Sequence, residues 1–336
     1  MSHASDQLQT LSGVLEQADD RLKGDPRAAT RVWPTGFSIL DDHLAGGFRS
    51  GDLVLLTGPQ GLGKTTFALQ ILRYVAQSGR SVVYFSFEHD TQTMLERLVA
   101  IEAGEFAGIP AVGLDRIRRA FEATDGRRGD LASRLADSTG GPEAIKAIQT
   151  YSDRLLLHRS SGNHTTMDTI VDTVERVREQ TGQVPFVVVD YLQKVKVPGH
   201  TGTEDDKVTE VVEGLKDLAM ELDVPVLAIV AADKTGVTSG KRMRTQHMRG
   251  SSSLAYEADT VLIMNEKYDV VARHHLVYDT RNADRFRDYA VVTIEKNRNG
   301  VDKVELEFFK RFNQGRFETD GNLVVEQLVD ERVFVD

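Results

Sequence analysis

The sequence has no cysteine and no apolar stretch of the length that crosses a membrane. Without cysteine there is no disulfide, and no zinc or redox site built on thiolates. A membrane-spanning helix needs about 18 or more consecutive apolar residues, and the polar residues 1–9 lack the apolar segment of a secretion signal. We therefore expect a cytoplasmic protein that is neither secreted nor inserted in a membrane.

Basic residues are in the minority, since the chain has 41 Lys and Arg against 51 Asp and Glu and a net charge of −10. Proteins that coat nucleic acid without selectivity use clustered cations to neutralise phosphates, so this excess of acid argues against that class. It leaves room for a local basic channel, because the distribution of charge decides what a surface binds.

Short apolar runs alternate with amphipathic segments along most of the chain. The predicted buried strands are residues 53–56, 82–87, 186–189, 226–230 and 260–264. Strands this apolar are typical of a parallel sheet covered by helices on both faces. Near the C-terminus, residues 289–295 and 304–309 flank the turn Asn299-Gly300 and predict an antiparallel hairpin. The sequence therefore predicts a doubly wound α/β fold with a C-terminal antiparallel β extension.

Composition divides the chain into a short arm, residues 1–30, and one domain, residues 31–336. An apolar stripe with helical spacing in the arm is formed by Leu8, Leu11, Leu15, Ala18 and Leu22. Two interpretations of this stripe stay open: packing on its own domain, or docking on a neighbouring subunit. Within the domain, residues 124–141 are rich in Gly, Asp, Arg and Ser and predict a surface insertion.

A phosphate-binding loop, G-x-x-x-x-G-K-T, follows the first predicted strand of the sheet. It consists of Gly58, Pro59, Gln60, Gly61, Leu62, Gly63, Lys64 and Thr65. A strand before it and a helix after it separate this match from a chance one. We expect the loop and Thr66 to bind ATP, with Lys64 at the β- and γ-phosphates and the Thr65 hydroxyl on Mg²⁺. The alternative is a glycine-rich turn that binds nothing.

Two carboxylates stand at the ends of predicted strands. Asp190 ends one of them, in the position of a second Mg²⁺ ligand. Glu88 ends another, and at the carboxyl edge of the sheet, beside the first strand, it would orient or deprotonate an attacking water. A capping aspartate and an exposed loop glutamate are the structural alternatives.

Five segments occur in the order and approximate spacing of the C-terminal ATPase domain of DnaB-type replicative helicases. They are Thr35-Gly36-Phe37, residues 58–66, Phe85-Ser86-Phe87-Glu88, Asp190-Tyr191-Leu192-Gln193 and Lys296-Asn297-Arg298-Asn299-Gly300. The chain resembles this family over residues 31–318, and resembles the RadA and KaiC relatives of RecA less closely. The resemblance implies a RecA-like, mostly parallel sheet.

The resemblance also implies roles for individual residues. Lys64, Thr65 and Asp190 would hold MgATP, and Glu88 would be the catalytic carboxylate. Lys296 and Arg298 lie two apart at a strand end and therefore project from one face. They would act in trans on the γ-phosphate held by the next subunit of a homo-oligomer, a hexameric ring or spiral. An ordinary exposed basic pair is the alternative.

Two loops that the resemblance places along a central channel carry basic residues. One follows the third strand and holds Lys194 and Lys196, whereas the other follows the fourth strand. The cations of this second loop include Lys241, Arg242, Arg244 and Arg249. Such loops suit a phosphate backbone, so we expect binding of single-stranded DNA. A solvated charge run is the alternative.

Three departures from the family pattern limit what the resemblance implies, and one of them is that the insertion at residues 124–141 has no counterpart in the family. A polar glutamine near the end of the family's fourth strand is replaced by Ala231, whose side chain makes no hydrogen bond. The residues before Arg31 are too few for the helical domain that recruits primase, so coupling to primase is not expected.

Two functions follow from these observations. The first is an ATP-driven helicase or translocase on single-stranded DNA. The second is a regulatory or assembly ATPase whose nucleotide state controls oligomerisation or a protein partner. The basic loop favours the first, whereas the net charge and Ala231 favour the second. We expect the first.

Overall fold

The structure is a computed structural model that describes residues 8–24, 30–123, 126, 128–233, 241–250, 252–277 and 280–331. The strands are β1 (Val32–Trp33), β2 (Phe48–Arg49), β3 (Leu53–Thr57), β4 (Val82–Ser86), β5 (Leu155–Arg159), β6 (Phe186–Asp190), β7 (Val226–Val230), β8 (Thr260–Glu266), β9 (Tyr289–Asn297), β10 (Val304–Arg311), β11 (Arg316–Phe317) and β12 (Asn322–Leu323). The helices are α1 (Leu11–Lys23), α2 (Ser38–His43), α3 (Lys64–Gln77), α4 (Thr91–Ala107), α5 (Leu114–Glu122), α6 (Leu131–Arg134), α7 (Gly141–Gln149), α8 (Met167–Thr181), α9 (Glu204–Leu222), α10 (Ser253–Glu257), α11 (Lys267–Val270), α12 (His274–Val277) and α13 (Thr280–Arg287).

Strands β3 to β12 form one sheet. Its parallel part has the order β8-β3-β7-β6-β4-β5. Beyond β8 the strands β9, β10 and β11 continue it in antiparallel fashion. The RecA-like doubly wound fold and its C-terminal extension are thus confirmed, and β9 and β10 pair as the predicted hairpin, with Ile294 opposite Val304.

Two apolar layers cover the parallel strands, because alternate side chains of a strand point to opposite faces. On one face Leu56 and Tyr84 pack with Phe67 of α3 and Ile101 of α4. The other face buries side chains of α8 and α9, including Val174 and Leu215. Every residue of β3, β4, β6 and β7 is buried. The loops at the carboxyl ends of these strands are therefore held on a rigid base.

Helix α1 confirms the helix predicted for the arm, but none of its residues is buried. Leu11 is 85% exposed, Leu15 64% and Leu22 69%. Thr10 caps the helix by accepting a hydrogen bond from the Gly13 N–H at 3.2 Å. Packing of the stripe on its own domain, one of the two interpretations from the sequence, is therefore wrong for this structure.

The segment predicted as a surface insertion, residues 124–141, is only partly on the surface. Residues 124, 125 and 127 lie outside the described part of the chain. Further along, Leu135 is fully buried in an apolar cluster with Val99 and Ile117. A Cβ added to Gly141 would lie 2.7 Å from the Leu135 carbonyl oxygen. The second half of the segment therefore belongs to the packed helical layer, which its polar composition did not indicate.

Candidate active site

The phosphate loop connects β3 to α3 and depends on glycine at its tight points. Gly63, the residue before α3, has a φ of +86°. A Cβ there would lie 2.9 Å from the ring of Phe312. A Cβ on Gly58 would lie 2.8 Å from the Met264 carbonyl oxygen. A side chain at either position would push the loop out of place. Glycine therefore allows the loop backbone to stay close to the N-terminus of α3, where an anion is favoured.

Lys64 begins α3 and is held over the loop. Its ammonium group donates to the carbonyl oxygens of Gly58 and Pro59, at 2.8 and 2.9 Å. Burial lowers the pKa of Lys64, and the nearby carboxylates of Asp190 and Glu88 oppose that shift. A buried cation at the start of a helix is suited to neutralising phosphate charge.

Asp190 ends β6 directly behind Thr65. Its Oδ2 accepts hydrogen bonds from the Thr65 hydroxyl at 2.8 Å and from the Tyr84 hydroxyl at 2.6 Å. Burial raises the pKa of Asp190, against the effect of these hydrogen bonds. Its Oδ1 is buried and has no hydrogen-bond partner among the residues that the structure describes. Mg²⁺ prefers oxygen ligands, so the unpaired carboxylate oxygen and the neighbouring threonine hydroxyl are suitable ligands for this ion.

Glu88 lies across the same cavity from the phosphate loop. The cavity has a volume of about 390 Å³ and is lined by Glu88, Lys64, Thr65, Thr66 and other residues named below. The sequence predicted that β4 lies beside β3. In the structure β7 and β6 separate the two strands. Glu88 reaches the cavity all the same, where its carboxylate is a hydrogen-bond partner of the Tyr191 side chain. A carboxylate in this position is suited to orienting water.

Three residues that sequence reasoning missed also line this cavity: Arg97, His89 and Phe312. Arg97 is half-buried on α4, near the charges of Glu88 and Asp190. Burial lowers the pKa of His89. Arg97 follows Glu88 closely in the sequence, but no motif marked it. Phe312 was not identifiable, because a loop remote in sequence brings it to Gly63.

Lys296 and Arg298 lie at the end of β9 and do not line this cavity. The Lys296 ammonium donates to the carbonyl oxygens of Ala255 and Ala258, at 2.8 and 2.6 Å, around the end of α10. The Arg298 guanidinium lies 3.3 Å from Asp259 Oδ1. Both cations are thus gathered at one place, separate from the phosphate loop of their own chain.

The basic residues assigned to DNA contact fall into two groups. Lys194 and Lys196 are exposed beyond the end of β6. In the other loop Lys241 pairs with Glu331, Arg244 with Glu295 and Asp330, and Arg249 with Glu204. Residues 234–240 lie outside the described part of the chain.

Arg242 corrects the assignment made from the sequence. Its side chain is 3% exposed, pairs with Glu305 and donates to the Thr293 hydroxyl at 3.1 Å. A buried, paired guanidinium is not available to a phosphate backbone. Arg242 therefore fixes the base of the loop to the antiparallel strands, a role that a run of basic letters could not reveal.

Comparison with known proteins places these features in a family. The family described as "DnaB-like helicase C terminal domain" matches residues 33–318. The chain is 26% identical over 310 residues to the replicative DNA helicase DnaB of Haemophilus influenzae, covering 91% of this chain and 60% of that protein. It is 28% identical over 287 residues to that of Geobacillus stearothermophilus, covering 84% and 55%. The chain thus spans little more than half the length of these curated relatives.

Two solved structures share the fold. One, described as an ATPase domain, aligns with a TM-score of 0.71 at 19% identity, over 93% of this chain and 99% of that one. A DnaB-like replicative helicase, described with its interactions with primase, aligns with a TM-score of 0.71 at 18% identity, over 92% and 68%. Among the described residues, no helix is long and apolar enough to cross a membrane.

Proposed function

Because the chain belongs to the family of DnaB-like helicase C-terminal domains, we propose that it is an ATP-hydrolysing motor that moves on single-stranded DNA and unwinds duplex. The observation that carries the proposal is that Lys64, Thr65 and Glu88 line one cavity, with Asp190 hydrogen-bonded to Thr65 directly behind it. Those four groups supply what phosphoryl transfer to water requires: phosphate neutralisation, a place for Mg²⁺ and a carboxylate for the nucleophile.

Each group has a distinct task in the proposed reaction. Lys64 and the loop N–H groups bind the phosphates of ATP and stabilise charge in the transition state. Thr65 and Asp190 would hold Mg²⁺, which would supply positive charge to the phosphates. Glu88 orients a water and accepts a proton from it as its oxygen bonds to the terminal phosphorus. The bond from that phosphorus to the bridging oxygen breaks, giving ADP and phosphate.

We further assign the working form to a homo-oligomer, a hexameric ring or spiral. Lys296 and Arg298 lie apart from the cavity of their own chain, which suits action on the nucleotide of a neighbour. The exposed stripe of α1 offers each subunit an apolar surface for the adjacent one. Head-to-tail contacts of this kind generate rings or helical filaments.

Single-stranded DNA is the proposed ligand of the loops after β6 and β7. Lys194 and Lys196 are exposed at the carboxyl edge of the parallel strands, on the same side of the sheet as the phosphate loop. Cations on such loops follow a phosphate backbone without reading sequence. The two relatives named above are replicative DNA helicases, which favours this motor over a regulatory ATPase of the same fold.

The test is strand displacement on a labelled fork with a single-stranded tail. We expect unwinding that needs both ATP and Mg²⁺ and that stops in the Glu88→Gln protein. ATP hydrolysis without any strand displacement or movement on single-stranded DNA would instead identify an assembly or regulatory ATPase.

A further inference from the structure

The C-terminal residues run back to the basic loop after β7. Strand β12 pairs with β10, and Leu328 then forms an antiparallel bridge with Val271. The Val329 N–H donates to the Val270 carbonyl oxygen at 2.8 Å. A second antiparallel bridge joins Glu331 to Lys241. We call residues 326–331 the acidic strap, after Glu326, Asp330 and Glu331.

The strap ends on two of the cations that were assigned to DNA. Oδ1 of Asp330 accepts from Nε and Nη2 of Arg244, at 2.8 and 2.7 Å. Oε1 of Glu331 lies 3.1 Å from the Lys241 ammonium. The Arg242 N–H donates to the Asp330 carbonyl oxygen at 2.8 Å, which fixes the register of the two segments. Both acidic side chains and both cations line one groove of about 810 Å³.

These carboxylates use the donors that a phosphate would use. A guanidinium binds carboxylate and phosphate with the same planar array of N–H groups, so one ligand excludes the other. Asp330 is 69% exposed and Glu331 59% exposed. Ion pairs this exposed are weak and are screened by salt. Backbone pairing holds the strap as far as the bridge between Lys241 and Glu331, whereas the side-chain carboxylates of Asp330 and Glu331 are exposed and open to displacement.

We propose that the acidic strap is an intramolecular competitor of single-stranded DNA for Lys241 and Arg244. The strap lowers the affinity of the loop for nucleic acid until a strand with several phosphates displaces Asp330 and Glu331. The inference rests on the proposed action on DNA.

Neutralisation of the strap is the first test. Asp330→Asn with Glu331→Gln should bind labelled oligothymidine about tenfold more tightly than the wild type at about 0.1 M salt, where exposed charges are only partly screened. The slope of log affinity against log salt should steepen by about 0.7 for Lys241, whose partner Glu331 is neutralised, and by less for Arg244, which keeps its contact with Glu295. Glu175→Gln with Glu179→Gln, exposed residues of α8, removes the same net charge and should change neither quantity.

The outcomes separate the strap from the proposed function. Wild-type protein that binds oligothymidine, with a neutralised variant of equal affinity and slope, would overturn the strap alone. Wild-type and neutralised proteins that both fail to bind would overturn the strap together with the action on DNA. An equal gain in the α8 control would reduce the effect to net charge and overturn the strap as well.

The second test is a reversible disulfide between the strap and the basic loop. Because the chain has no native cysteine, no other disulfide can form within it. Lys241→Cys with Glu331→Cys places a unique thiol pair at bridged antiparallel positions. Their Cα atoms lie about 4.5 to 5.5 Å apart, which a disulfide spans. The oxidised protein should bind oligothymidine more weakly than the same protein after reduction, whereas Lys241→Cys alone should respond to neither treatment. Failure of the disulfide to form, or equal affinity in both states, contradicts the strap.

Discussion

The Thr65 hydroxyl donates a 2.8 Å hydrogen bond to Oδ2 of Asp190 and thereby joins the start of α3 to the end of β6. Tyr84 binds the same oxygen, so the carboxylate is fixed while its Oδ1 keeps its bonding capacity. Lys64, which binds phosphate, lies at the start of α3, whereas Glu88 follows β4. Changes at Lys64 and at Glu88 should therefore separate nucleotide binding from turnover.

Lys64→Ala should abolish or strongly weaken ATP binding, because it removes the buried cation of the phosphate loop. Glu88→Gln should keep ATP bound while hydrolysis falls by about 10² to 10⁴, the usual contribution of a general base. Equilibrium binding of a fluorescent ATP analogue and phosphate release measure the two effects. Glu122→Gln, an exposed change on α5, is the control. Normal turnover in Glu88→Gln would remove that residue from the mechanism.

Arg298→Ala should bind ATP but hydrolyse it about 10³-fold more slowly, as expected for loss of an arginine that stabilises transition-state charge. The damaged site belongs to the next subunit. Mixing this protein with Glu88→Gln protein should restore part of the activity, because only a mixed assembly pairs an intact Glu88 with an intact Arg298. Thermal unfolding checks that loss of the Asp259 contact leaves the fold intact. Mixtures as inactive as either variant alone, after time for subunit exchange, would contradict action in trans.

Lys194→Ala with Lys196→Ala should weaken binding of single-stranded DNA and lower its log–log salt slope by about 0.7 per lost phosphate contact. ATP binding should be unchanged, since neither side chain lines the nucleotide cavity. Fluorescence anisotropy at several salt concentrations measures both quantities. Lys146→Ala with Arg178→Ala removes two exposed cations from α7 and α8 as the matched control. An equal loss in that control would assign the effect to net charge.

Arg242→Ala should lower the free energy of unfolding by about 2 kcal/mol, because it removes a buried guanidinium bound to Thr293 and leaves the partly exposed Glu305 unpaired. Chemical denaturation measures this, with Lys303→Ala, an exposed cation near the same groove, as the control. Wild-type stability combined with a loss of DNA affinity would return Arg242 to the DNA-binding group.

Local patterns in the sequence predicted the parts of the molecule that depend on local physics. Strands β3, β4, β6 and β7 are apolar because both of their faces are buried. The glycines of the phosphate loop permit its positive φ angles. The turn at Asn299-Gly300 likewise led to the β9–β10 hairpin.

Long-range pairing was not predictable in the same way. Strand β5 is as long as the inner strands, but it lies half-buried at the edge of the sheet and its leucines give way to His158 and Arg159, so it did not stand out as a buried strand. In the sequence Arg242 is one cation of a basic run, and only the structure shows that it is buried and paired with Glu305. Leu135 lies in a polar stretch, and only the contacts of α4 and α5 show that it is core.

The rate of ATP hydrolysis with and without oligothymidine, across a series of salt concentrations, tests the central claim most directly. A motor that tracks the phosphate backbone should hydrolyse ATP faster when the strand is present, and the stimulation should fade as salt weakens phosphate contacts. The Glu88→Gln protein should show no such stimulation. A hydrolysis rate that is the same with and without DNA at every salt concentration would contradict action on single-stranded DNA.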